Sequence, residues 1–500
     1  MVEAYDLLIV NATLVDGTGA PGRPAAVAMR DDTIVAVADA VEALPPGGTG
    51  RVIDGSGLVL APGFVDMHSH SDRTLLADPS AQSKIRQGVT TEVIGNCGMS
   101  PTPCVGPVAE EERARFGRWG VGVTWRTMGE YLDVLSDRGV GINVAALVGH
   151  GSVRKAAVGY DMRAPDDGEL ASIRRYVAES MAGGAFGISF GGIYPPSSYA
   201  TTEELIEASK EVGAAGGIYA CHMRNERERL LEAVEESIRI GRESGASVQI
   251  SHHKASGRTA WGKVGESLKL IEAAQQRGLD VHADQYPYTA GSTILAAVFR
   301  DGKLRGVSGD LTAKDVVIAS TARHPEWEGK SLADLSALMK CSMEEAATRV
   351  LAEDSGVTVI MHAMSEDDVR TVMRHPSTMI GSDGIPTLEG KPHPRLYGTF
   401  ARVLGRYARD EKVFSLAEGV HRMTGFAARK FGLRDRGVVK EGAIADLVLF
   451  DPRRIIDRGT FEDPHRTPDG IEAVYVAGVK AVAGGKPTGA RKGRVLRRGH

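Results

Sequence analysis

Two histidines separated by one residue, His68 and His70, end the apolar stretch LVLAPGFVDMHSH. If that stretch is extended, its period-2 alternation points both imidazoles to the same side, where they could clamp a metal. Further short apolar segments finish in residues of matching chemistry. TTEVIGNC ends in Cys97, GIYACHMR carries His222, SVQISHHK carries His252 and TMIGSDG carries Asp383. Each has an ordinary explanation alone: a small core cysteine, a hydrogen-bonded interior histidine, an aspartate capping a helix. Six such side chains at the ends of five apolar segments make a chance arrangement improbable. Imidazole, thiolate and carboxylate together suit zinc, which keeps an open position for water when it is catalytic. Such a water ionises near neutral pH, and Asp383 would serve it as general base and then serve the leaving group as general acid. The chemistry expected is hydrolysis.

Positioning these residues at one place requires a particular framework. The middle of the chain alternates short apolar segments, FVDMHSH, TTEVIGNC, NVAALVGH, AFGISFG, GIYACHMR, SVQISHHK, LDVHADQYPY and TMIGSDG, with amphipathic ones such as EELIEASKEVGAAG and ERERLLEAVEESIRIGRESG. Eight strand-helix units predict an α/β fold of the (β/α)8 barrel type, whose chemistry gathers at the C-terminal ends of the strands. A doubly wound sheet ranks second, since no GxGxxG opens a helix. The β-rich flanks, YDLLIVNATLVDG to GLVLAPG and GVVKEGAIADLVLFDP to AVYVAGVKAVAGGKP, are expected to pair as one small sheet domain. The expected division is 1–60 for the first flank, 61–420 for the barrel, and 421–500 for a last helix and the second flank. About 90 residues separate HADQYPY from MIGSDG, so an insertion after strand seven, about 289–356, is expected to stand over the barrel mouth like a lid.

Composition narrows the function class. The chain has 500 residues, 42% apolar and 25% charged, with a formal net charge of -4, which leaves no electrostatic footprint for nucleic acid. The basic tail ARKGRVLRRGH reads as a solvated end. Four cysteines without CxxC spacing fit a reducing compartment. The N-terminus lacks a signal-peptide series, and no apolar run approaches the roughly 18 residues of a membrane span. A cytoplasmic protein with small-molecule substrates and no membrane partner is expected, as a monomer or small homo-oligomer.

The ordered set VNATLVDGTG, APGFVDMHSHSD, GNCG, IYACHMRNE, ISHHK, DQYPYTAGST, IGSDG and GVVKEGAIADLVLFDP resembles the amidohydrolase superfamily, and within it the D-aminoacylase (N-acyl-D-amino-acid deacylase) family, over nearly the whole chain. The resemblance implies that the flanks form an accessory β-sandwich. Many binuclear members carry a bridging lysine on strand four, but GAFGISFGGIYPP has none, and in the D-aminoacylase family a cysteine matching Cys97 takes that role. It implies that Cys97, His222 and His252 hold one zinc tightly, with His68 and His70 contributing to a second, weaker site. Lys254, Tyr286, Ser292 and Arg395 would hold the substrate carboxylate, Tyr194 would polarise the scissile carbonyl, and His150, His253 and Arg224 would orient ligands. The implied reaction is zinc-dependent hydrolysis of N-acyl-D-amino acids to a carboxylate and a free D-amino acid, with a broad or apolar side-chain preference. Alternatives are a dipeptidase, a cyclic-amide hydrolase (usually built on the missing lysine) or a metal-free scaffold.

Overall fold

The computed structural model describes residues 4–45, 48–300, 302–304, 311–387 and 390–499. Eight short strands form a TIM-barrel-type fold: Phe64–Asp66, Val89–Ile94, Asn143–Ala146 with its continuation Val148–Gly149, Gly187–Gly191, Ile218–His222, Ser247–Ile250, Val281–Gln285 and Thr378–Ile380. All neighbouring pairs run parallel. Helices cover these strands, so apolar runs such as NVAALV are buried on both faces. The helix Leu230–Ser244 shows why its segment forms: Leu230, Ala233, Val234, Ser237, Ile238 and Gly241 recur at helical spacing and are all buried. Gly245 ends it in the left-handed region at φ 77°.

The ring closes between strands one and eight. The Asp383 N–H donates to the His68 carbonyl at 2.8 Å, and the His70 N–H donates to the Gly384 carbonyl at 3.1 Å. Behind this seam the Lys84 ammonium, 1% exposed, donates to Asp66 at 2.6 Å and to the Ser382 hydroxyl at 2.7 Å. Asp66 also accepts from the Ser382 N–H at 2.8 Å. A charged pair so deeply buried is tolerable because further hydrogen bonds support both partners: Ser382 accepts from Lys84, and its N–H donates to Asp66.

The strand Val59–Pro62 pairs antiparallel with Leu447–Phe450, Leu60 opposite Leu449, so strands from both chain ends share one nine-stranded sheet. The segment after strand seven combines sheet and helix: Gly291–Ile294, Thr358–Met361 and Val316–Ser320 form an antiparallel sheet backed by helices Leu332–Met339 and Met343–Glu353. Val316, Ile318, Leu332, Leu335, Val350 and Val359 give it a core of its own. Because its central strand is Thr358–Met361, it runs past the expected end at 356; residues 301 and 305–310 of the expected insertion lie outside the described residues. The expected boundary at 420 falls inside the helix Leu416–Met423, which packs against strands one and eight.

The basic tail is a correction. Rather than a solvated end, it docks beneath the barrel: the Val144 N–H donates to Arg494 O at 2.9 Å, and the Leu496 N–H donates to Val144 O at 2.7 Å. Arg497 pairs with Asp133 at 2.6 Å, Arg494 with Asp32, and Arg498 caps the carbonyls of Ala215 and Gly216. Cations at the open C-terminus of helix Thr202–Ala214 are where a helix end favours them. Among the described residues no helix is long and apolar enough to cross a membrane.

Removing one partner of a buried pair leaves the other charge uncompensated. Lys84→Met is therefore expected to destabilise the barrel by about 3–5 kcal/mol, read as an earlier urea-unfolding midpoint; an unchanged midpoint would show that the seam does not depend on the pair.

Candidate metal and active site

The strand ends bring His68, His70, Cys97, His222, His252 and Asp383 together. Ligand-type atoms of His68, His70, Cys97 and Asp383 lie within 4.8 Å of one another, as do those of Cys97, His222 and His252, so Cys97 belongs to both groups. Its Sγ stands 3.4 Å from His68 Nε2, 3.9 Å from His222 Nδ1 and 3.6 Å from His252 Nε2. Asp383 Oδ1 stands 3.0 Å from His70 Nε2 and 3.5 Å from His68 Nε2.

Local backbone geometry achieves this convergence at a cost. Cys97, His252 and Asp383 all occupy the left-handed region, with φ of 53°, 38° and 49°. Such conformations persist in bulky residues only where the surroundings impose them, and they cluster at functional sites. The glycines beside Cys97 are part of that imposition. A Cβ on Gly95 (φ 80°) would sit 2.0 Å from Leu147 O, and one on Gly98 would sit 2.7 Å from Gly191 N, so GNCG can press against strands three and four only with glycine at both places.

The electrostatics favour the ligand forms of the thiol and the carboxylate. Burial opposes ionisation of Cys97, but the charge of His68 and contacts with His222 and His252 hold its thiol well below the ordinary range. Burial likewise opposes the Asp383 carboxylate, yet Arg395 at 2.8 Å, with His252 and His68, holds it well below the usual carboxylate range. Burial and the nearby Cys97 charge push the Tyr194 phenol well above its usual range, leaving it a proton donor.

Two carboxylates behind the histidines went unrecognised in the sequence. Asp284 on strand seven lies 3.3 Å from His68 Nδ1 and accepts from the His252 N–H at 2.8 Å and Gln249 Nε2 at 2.9 Å. Glu226 Oε1 lies 3.1 Å from His252 Nδ1 and accepts from Lys254 Nζ at 2.6 Å, while its Oε2 is 3.9 Å from His222 Nε2. The available signals were a polar strand end in HADQYPY and an acid four residues after His222 in HMRNE.

The cluster floors a cavity of about 660 Å³ lined by His70, His222, His252 and Asp383, by Tyr194, Lys254, Tyr286 and Ser292, and on the insertion's side by residues including Ile294, Val298, Met361 and Met364. The Tyr194 hydroxyl is 2.9 Å from Thr293 Oγ1. Arg395 departs from expectation: it is 1% exposed, stacks 4.5 Å from the Tyr286 ring centre, pairs with Asp383 and does not line this cavity. His150 and His253 are engaged elsewhere, His150 with Ser197 at 3.0 Å and Glu204 at 3.2 Å, His253 with Ser267 at 2.8 Å. Both nitrogens of His150 and the Nε2 of His253 thus have partners outside the ligand cluster. Arg224 lines the cavity and is held by Glu236 at 2.9 Å and by the carbonyls of Ser198 and Ala200.

With this geometry in hand, comparison with known proteins is decisive about family. Residues 51–482 match the model of the amidohydrolase family. The chain is 42% identical to a D-aminoacylase of Alcaligenes xylosoxydans xylosoxydans, over 99% of this chain and 98% of that one. Among solved structures, a D-aminoacylase studied for its binuclear metal centre, where one metal activates and a second attenuates, superposes with a TM-score of 0.89 at 39% identity, covering 99% of this chain and 100% of that one. An N-acyl-D-glutamate deacylase from Bordetella bronchiseptica, in complex with zinc and a phosphonate mimic of the tetrahedral intermediate, superposes equally well at 0.89 with 36% identity and the same coverage. The chain belongs to the amidohydrolase family, in its D-aminoacylase branch.

Proposed function

We propose that this protein is a zinc-dependent N-acyl-D-amino-acid deacylase, hydrolysing a linear amide to a carboxylate and a free D-amino acid. The observation that carries the reading is the convergence of two ligand groups on one shared thiol, Cys97, at the floor of a cavity. Support comes from the relatives, which include deacylases of N-acyl-D-glutamate and N-acyl-D-aspartate as well as the D-aminoacylase.

The donor set fits the metal. Nitrogen and sulfur ligands of this kind are those zinc takes, and the lowered Cys97 thiol is already disposed to the thiolate form. Cys97, His222 and His252 would hold the tighter ion, and His68 and His70 with Asp383 would contribute to a second, weaker one. When bound, zinc supplies a Lewis acid that polarises a carbonyl and makes water nucleophilic near neutral pH.

The chain's own residues do the rest. Asp383, kept ionised by Arg395, takes a proton from the attacking water and delivers it to the departing amide nitrogen. The Tyr194 phenol, on the cavity wall, donates to the scissile carbonyl oxygen as negative charge develops there. Lys254, Tyr286 and Ser292 face the same space and would receive the substrate carboxylate. Arg395 stands behind them, and its charge serves Asp383 first. The same reading takes the terminal sheet as the accessory sandwich of the family, the inserted subdomain as the element that shapes side-chain preference, and the cytoplasm, with its reduced thiols, as the location; the described cysteines are all free.

Three outcomes are expected. A chiral screen should show turnover of N-acetyl-D-methionine or similar compounds and little of the L forms; preference for L substrates, or no turnover of either, would overturn the assignment. Elemental analysis of protein purified without chelator should find about one to two zinc ions per chain, and chelation should abolish activity that added zinc restores. Asp383→Asn should lower kcat by about 10²–10⁴-fold while the zinc on Cys97, His222 and His252 is retained, and retained turnover would refute its role in proton transfer.

A further inference from the structure

The surroundings of His252 Nδ1 contain a conflict that bears on metal retention, and its consequence rests on the zinc reading above. For His252 Nε2, 3.6 Å from Cys97 Sγ, to act as a ligand, its lone pair must be free. A neutral imidazole has one ring proton, so that proton must then sit on Nδ1. An Nδ1–H can donate to a carboxylate but has nothing to accept from an ammonium. Nδ1 has one neighbour of each kind: Glu226 Oε1 at 3.1 Å and Lys254 Nζ at 2.9 Å. Glu226 favours the tautomer that leaves Nε2 free, whereas Lys254 favours the tautomer that puts the proton on Nε2.

Glu226 is placed to win this contest. The oxygen that faces His252 also accepts from the Lys254 ammonium at 2.6 Å, drawing the cation onto the carboxylate. Lys254 has a further acceptor in the His252 carbonyl at 3.0 Å, so it need not take the ring nitrogen. The other carboxylate oxygen faces His222 Nε2 at 3.9 Å, while His222 Nδ1 faces Cys97. A single acid thus stands behind the far nitrogens of both histidines in the group formed with Cys97 by His222 and His252. We infer that Glu226 is a positioning residue that selects the metal-binding tautomer of His252, supports the orientation of His222, and restrains Lys254, which would otherwise oppose ligation.

The test is zinc affinity of the full-length protein, measured by competition with a chromogenic chelator, for the unaltered chain, Glu226→Ala, Glu226→Gln and the double variant Glu226→Ala with Lys254→Met. Loss of such a supporting carboxylate should weaken zinc binding by about 10–100-fold in Glu226→Ala. Glu226→Gln should lose less, because the amide oxygen still accepts from Nδ1–H. The double variant should bind zinc more tightly than Glu226→Ala, since the ammonium that favours the wrong tautomer is gone; a purely structural role for Glu226 would give no such recovery. Unchanged affinity in both single variants, or a further loss in the double variant, would overturn the inference. If Glu226→Ala does not fold, Glu226→Gln with and without Lys254→Met carries the same comparison with the same expected direction. No zinc binding by the unaltered chain would instead overturn the metal reading itself.

Discussion

The barrel closes where its chemistry lies. The backbone hydrogen bonds that join strand one to strand eight run between His68 and Asp383 and between His70 and Gly384. The residues that complete the ring of strands are therefore the residues whose side chains converge on the cavity floor. A shift of one residue in that pairing would open the barrel and turn the imidazoles away from Asp383 together. Lys84, Asp66 and Ser382 fix the seam from behind, and with this contact in place the other strand ends have a defined point to face.

Much of the buried charge around that point is arranged in opposed pairs. Asp383 has Arg395, Glu226 has Lys254, and Asp284 gathers His68, the His252 amide and Gln249. In a low-dielectric interior an isolated charge is costly, so a site rich in acids, bases and a thiol is stable only as a network. That network also limits what each member can do. Arg395 is the clearest case: a guanidinium whose first partner is the acid it keeps ionised has less freedom to reach a ligand than one lying open on the cavity wall.

The barrel and the convergence of the six candidate ligands were legible in the sequence because each strand is a short apolar run and each of the six residues sits where such a run stops. Periodicity locates strand ends well enough for that purpose. It says nothing about what stands behind a residue. Glu226 and Asp284 come from segments whose neighbours across the barrel are set only by folding, and in sequence they are ordinary acids. The sheet of the insertion was not legible for a related reason: its strand Thr358–Met361 finds its partners more than thirty residues away, across the two helices of the subdomain. The basic tail was read by composition alone, and composition cannot register carbonyls waiting at a helix end or an unpaired strand edge beneath the barrel.

The shared terminal sheet has a consequence for how the molecule comes into being. Val59–Pro62 takes Leu447–Phe450 as a neighbour, and the tail locks onto the barrel floor through Gly493, Arg494 and the residues that follow them. At a synthesis rate of about 5–20 residues per second, the roughly 390 residues between those two strands take about 20–80 s to emerge. Throughout that interval the first strands stand with one edge unfilled, and an unfilled strand edge is a template for the wrong neighbour. The nascent chain thus has to guard its beginning until its end arrives.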